Sequence, residues 1–222
     1  MTGHTSGTRK RLLEAAGAVF AEKGYHHATV AEICDRAGAN IAAVNYYFRS
    51  KENLYVEAWR EAFRRSVEAH PPAGGVADDA PPEERLRGRI RALVERVADP
   101  GSIEFEIVHK ELANSTGLLS GPMSEAIEPI RRGMSGVIRE VLGPQPSDEA
   151  LRLCEMSVMT SCIHFLMPNR LRRSLPEGAR LPGPPQLEMD PETIVEHIYR
   201  FSLAGLREVR RRVESPAPAE TE

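Results

Sequence analysis

Between residues 40 and 51 the chain sets Asn45, Tyr46, Tyr47, Arg49 and Lys51 around two alanines, Ala42 and Ala43. These residue types suit nucleic acid. The Asn45 amide offers the donor and acceptor that match adenine N6 and N7, and a small alanine methyl lies readily against the methyl of thymine. Tyr46 is a further candidate for the same task. Tyr47 and Lys51 belong at a helix edge, where a phenol or an ammonium donates to phosphate and fixes register without reading sequence. In a helical projection of 41–48, Ala42, Asn45, Tyr46 and Arg49 share one side, while Val44 and Phe48, four residues apart, share the other. The competing reading of Asn45 is a surface polar residue that meets only solvent or phosphate.

Two short helices must hold these side chains. Thr29 can cap the first, over 30–37, whose Val30, Ile33, Cys34 and Ala37 recur at the spacing of one helical face. Gly38 takes the left-handed conformation that ends a helix, and Asn40 caps the second, over 41–48. This is the grammar of a helix-turn-helix, whose second helix enters the DNA major groove. A preceding helix over 9–23 carries Leu12, Ala16, Val19 and Phe20 on one face and ends at Gly24, so Phe20 and Ile33 form the floor for Val44 and Phe48. Ser50 caps a longer helix over 51–69, with Leu54, Ala58, Trp59 and Phe63 as its apolar stripe.

Thr29, the pair Ala37-Gly38, Tyr47-Phe48 and Ser50-Lys51-Glu52-Asn53-Leu54 stand in one register, and together they resemble the DNA-binding domain of TetR-family transcriptional regulators. Asn45 stands where that family usually has a Tyr. The resemblance implies that Thr29, Tyr47 and Lys51 contact the DNA backbone. It also places Ile41 near the bases, although the spacing of Ile41 to Val44 and Phe48 makes it a core residue; partial burial with apolar groove contact meets both demands. Lys110-Glu111-Leu112-Ala113-Asn114-Ser115-Thr116, Ile127-Glu128-Pro129-Ile130 and Asn40-Ile41-Ala42-Ala43 resemble the CecR-like subgroup.

Residues 71–82 are rich in Pro and Gly and mark the clearest boundary; helical patterns follow over 83–98, 103–114, 122–142 and 148–167, and a last helix begins at Asp190-Pro191-Glu192. The Pro-rich segment 168–190 is a surface loop or a lid, and the tail 214–222 is expected to be disordered. No strand or repeat pattern appears, so the expected fold is all-α. The chain then divides into a helix-turn-helix domain over 1–50, a connecting helix over 51–70, a linker over 71–82 and a helical domain over 83–213. The resemblance makes that last domain ligand-binding and dimerising. Its Met-rich helices suit an adaptable apolar cavity, with Phe105, Val108, His109, Leu112, Met123, Ile127, Ile130, Met134, Cys154, Val158 and Phe165 as candidate lining; an ordinary packed core is the plainer reading of each. Dimerisation through the last two long helices is implied as well, with Met159, Ile163, Ile198, Ser202 and Gly205 at its seam.

Charge and motifs bound the alternatives. Residues 1–66 hold ten Lys/Arg against seven Asp/Glu, whereas the remainder holds 19 against 25, so a mildly basic head precedes an acidic body. The nucleophile elbow, the P-loop, the dinucleotide-binding glycines and the zinc-protease motif are all missing, and the Cys and His residues lack ligand-pair spacing, so neither an enzyme nor a cofactor nor a metal is expected. No apolar run approaches the length expected of a bilayer span, no signal peptide is expected at the start, and Cys34, Cys154 and Cys162 suit a reducing cytoplasm. The reading that results is a DNA-binding homodimer, by default a repressor with activation left open, that a small, largely apolar effector releases from a palindromic operator. A constitutive DNA-binding protein or a helical adaptor is the alternative.

Overall fold

The computed structural model describes residues 3–173 and 189–214, and these form ten helices with no strand among them. They are α1 (Gly3–His27), α2 (Val30–Ala37), α3 (Ile41–Phe48), α4 (Lys51–Ala69), α5 (Pro82–Ala98), α6 (Glu104–Ala113), α7 (Ser120–Leu142), α8 (Asp148–His164), α9 (Met167–Arg173) and α10 (Pro191–Glu214). Local chemistry sets most of the ends. The helical path of α1 breaks at Gly24, at φ 72° and ψ 175°, a conformation open to glycine alone at little cost. The Thr29 hydroxyl accepts from Glu32 N–H at 3.2 Å, the Asn40 side chain from Ala43 N–H at 3.0 Å and the Ser50 hydroxyl from Asn53 N–H at 3.3 Å. Each cap satisfies one of the donors that a helix start leaves unpaired. Gly38 closes α2 at φ 60° and ψ 45°, and its N–H bonds back to Asp35 O.

The helices gather into two compact units: residues 1–69 with 99–127, and residues 70–98 with 128–222. This differs from the linear division at residue 83. In the first unit α1 packs against α2, α4 and α6. Its core is Leu12, Ala16, Val19, Phe20, Ile33, Leu54, Tyr55 and Trp59, joined by Ile107 of α6 and by Leu119. Periodicity shows that α6 exists; only the burial of Ile107 shows that it sides with the head. The α6 carboxylate Glu111, 7% exposed, accepts from the Tyr55 hydroxyl at 3.0 Å and from the N–H groups of Thr116 and Gly117, both at 2.9 Å. Burial and the neighbouring carboxylate push the Tyr55 phenol well above its ordinary range.

In the second unit α5 lies against α8 and α10, which also touch each other. Leu86, Ile90, Val94 and Val97 of α5 are fully buried with Ile138, Cys162, Val195 and Ile198. The Pro- and Gly-rich stretch before α5 is no free tether. Gly74, at φ 63°, lies so close to α5 that a Cβ there would stand 2.0 Å from Gly88 O, and a Cβ on Gly88 would meet Ala73 O at 2.7 Å. Two glycines thus let a turn dock on a helix backbone.

Two further expectations change. Residues 168–173 are the end of α9 rather than loop, while 174–188 and the tail from 215 lie outside the described residues. Asp148–Arg172 is, against the sequence reading, long and apolar enough to cross a bilayer by length and composition, with a mean hydropathy of 1.2 over its most apolar window. The reason is that α8 is apolar on two sides: Leu151, Val158 and Cys162 face the core, while Leu153 and Met156 are exposed.

Candidate nucleic-acid interface

The head holds α3 by two anchors and leaves its other side bare. Val44 and Phe48 are 1% and 3% exposed, whereas Ile41 and Tyr46 are 53% and 77% exposed. Ala42, Asn45 and Arg49 are exposed with them, and Ala43 and Tyr47 are half-buried. The partial burial expected of Ile41 gives way: at the first position of α3 it precedes the anchored turn, and its side chain stands on the open face. The Tyr46 and Tyr47 rings meet edge to face, with centroids 4.9 Å apart, which stiffens the outer end of this surface.

The flanking groups are positioned as well. The cap at Thr29 uses the acceptor side of its hydroxyl, so the O–H can still donate to a phosphate. Lys51 is half-buried, with Nζ 4.3 Å from the Tyr25 ring centroid, a cation–π placement that limits its wandering. Burial lowers the ammonium's pKa, so an approaching phosphate would restore lost solvation. The Tyr25 ring is fixed in turn by its hydroxyl, which donates to Glu52 Oε1 at 2.7 Å. That bond and one from Ser50 hold the Glu52 carboxyl down to about 2, while burial and then the carboxylate push the Tyr25 phenol up to about 12. Arg49 follows α3 at φ 69° and ψ −39°, with its N–H shared between Val44 O and Asn45 O at 3.2 Å each. With Arg9 and Arg60 it borders a polar depression beside Tyr47. Arg9 and Arg60 are already ion-paired with Glu57, at 3.0 and 3.4 Å; Arg49 has no such pair among the described residues.

The candidate effector residues do not come together within one unit. Phe105, Val108, His109, Leu112, Met123 and Ile127 stand in the first unit and the other five in the second. Leu112 is 78% exposed, because α6 buries the stripe Glu104, Ile107 and Glu111 and so turns Leu112 outward. In the second unit Ile130 and Met134 line a narrow cavity, Cys154 and Val158 border an outer groove, and Phe165 packs on His197 with ring centroids 5.6 Å apart. The candidate dimer seam is partly redrawn. Ile198 is 1% exposed and belongs to the protomer's own core, and Met159 lines the narrow cavity. Ile163 is half-buried. Ser202 and Gly205 do lie in the outer groove between α8 and α10. The sequence reading missed Leu153, Met156 and Phe201, which are 58%, 64% and 73% exposed on these helices. It also passed over Arg89 and Arg96, whose seven-residue spacing puts them on one face of α5. No cluster of three His, Cys, Asp or Glu suited to a metal occurs among the described residues.

Comparison with known proteins agrees with this geometry. Residues 12–58 match the bacterial regulatory proteins of the tetR family, and residues 82–206 match the C-terminal domain of the HTH-type transcriptional dual regulator CecR. The HTH-type transcriptional regulator BetI of Yersinia pestis (strain Pestoides F) is 29% identical over 147 residues, spanning 64% of this chain and 71% of that protein. The probable acrEF/envCD operon repressor of Escherichia coli (strain K12) is 27% identical over 154 residues, spanning 67% and 62%. The crystal structure of FadR from Bacillus subtilis in complex with stearoyl-CoA superposes with a TM-score of 0.66 at 18% identity, covering 89% of this chain and 98% of that one; it shows a shared fold.

Proposed function

The chain is a member of the TetR family of transcriptional regulators with a body of the CecR type, and from that membership we propose a homodimeric repressor that a small, largely apolar effector releases from a palindromic operator in the cytoplasm. The observation that carries the DNA-binding half is the bare side of α3, with Val44 and Phe48 locked beneath it. Ala42, Ala43, Asn45 and Tyr46 meet base edges, and Thr29, Tyr47, Arg49 and Lys51 meet phosphates.

One helix-turn-helix makes few contacts, so pairing is needed. The exposed apolar side chains Leu153 and Phe201, which line one groove with Ser202 and Gly205, and the exposed Met156 on α8 give α8 and α10 a face that a second copy can cover. Two heads about 34–36 Å apart then read successive major grooves. The E. coli relative's name supports repression, and the acyl-CoA bound by FadR supports a body that takes a ligand. Such a ligand acts only through its differential affinity for the DNA-bound and free conformations.

Titration of duplex fragments recovered from the source genome tests this reading, with salt varied. Lys51→Ala is expected to weaken binding to every duplex alike and to reduce the slope of log affinity against log salt by about 1. A mutant that alters the preferred sequence at unchanged slope would falsify the phosphate role.

A further inference from the structure

Arg89 and Arg96 of α5 line the same narrow cavity, with Ala92 and Leu93 between them, Ile130 and Met134 from α7, Met159 from α8, and His70 beside. Arg96 is only 7% exposed. Arg89 is half-buried and makes no hydrogen bond or ion pair among the described residues. Burial, above all, lowers its pKa; Asp78 favours its charge and Arg85 opposes it. The guanidinium reaches α7 because Gly133 has no side chain: a Cβ there would lie 2.6 Å from Arg89 Nη1. A cation half withdrawn from water with no carboxylate in hydrogen-bonding reach is costly, and the cavity it lines is otherwise largely apolar. The space is about 20 Å³, room for about one water, so a larger group enters only as the walls yield.

We propose that this cavity takes the carboxylate or phosphate end of an amphiphilic small molecule, gripped by Arg89 with the Arg96 charge nearby, and with Leu93, Ile130, Met134 and Met159 meeting the start of its apolar body. The proposal rests on the effector reading and names the chemistry that the effector must carry. The guanidinium fork matches a carboxylate or phosphate in two parallel hydrogen bonds. The apolar body needs more room than the cavity has, and Met134 and Met159, unbranched and free to change rotamer, are the walls that yield.

The test uses the full chain with decanoate and decyl phosphate, and decanol as the neutral match. Binding is read by calorimetry and operator release by fluorescence anisotropy. The acids are expected to bind at least tenfold more tightly than decanol. Arg89→Met should erase that preference and, with no ligand present, raise the melting temperature, because a half-buried cation that lacks an ion pair has been removed. Gly133→Ala keeps the charge but displaces the flexible guanidinium, and should weaken the acids about tenfold while the fold persists. Equal binding of acids and alcohol, or acid affinity unmoved in both variants, overturns the proposal. If decanol releases the operator while the acids do not bind, the anion site fails and the effector reading stands. If the acids bind through Arg89 and the operator stays bound, the site stands and the effector reading fails.

Discussion

Arg49 combines two conflicting demands in one residue. Its backbone sits at φ 69° to let the chain turn out of α3, where a residue with a Cβ is strained by about 1–2 kcal/mol. Its side chain supplies the exposed cation at the edge of the surface that we propose faces DNA. Arg49→Gly relieves the strain but adds freedom to the unfolded chain, for a net gain of about 0.5–1 kcal/mol in urea unfolding. The same substitution should weaken binding to all duplexes, so stability and affinity are expected to move in opposite directions. Asn45 stands on the open side of α3 with Tyr46 beside it. Asn45→Ala should cost about 1–3 kcal/mol on the true operator and relax preference at one base pair in each half-site, as read by selection from randomised duplexes. An unchanged selection profile returns Asn45 to a solvent-facing role.

Among the elements, α6 is the one whose allegiance matters most. It is tied to α4 by the Tyr55 hydroxyl on Glu111, and the same carboxylate closes the turn at Thr116 and Gly117. The segment Lys110–Thr116, which marks the CecR-like body in the sequence, therefore does structural work for the head. Glu111→Ala leaves the buried Tyr55 hydroxyl without its acceptor and should lower stability by about 2–3 kcal/mol, with Glu111→Gln losing less. Equilibrium unfolding checks both, since a weak effect of Glu111→Ala would mean that water replaces the carboxylate.

At the scale of the whole molecule, the exposed apolar face of α8 and α10 is the seam that we propose for the dimer. Phe201 is 73% exposed, so Phe201→Arg should leave the protomer folded, shift the protein to monomer in light scattering, and abolish cooperative operator binding. A variant that stays dimeric would place the seam elsewhere. The mean hydropathy that lets Asp148–Arg172 pass as a membrane span by composition reflects the two apolar sides of α8, one in the protomer's core and one exposed at Leu153 and Met156, the face that we propose a second copy covers.

The sequence by itself determined the helices and their caps, because Thr29, Gly38, Asn40 and Ser50 act within three or four residues of themselves. It also determined the inner and outer sides of α3, since anchors four residues apart admit one orientation. Its failures share a cause. Periodicity tells which side of a helix is apolar, but not which neighbour covers it. Ile198 was therefore taken for a seam residue although α10 buries it inside the protomer, Leu112 for pocket lining although α6 turns it outward, and Arg89 and Arg96, which share a cavity, were passed over. Those assignments depend on partners tens of residues away in the chain, and tertiary packing alone decides them.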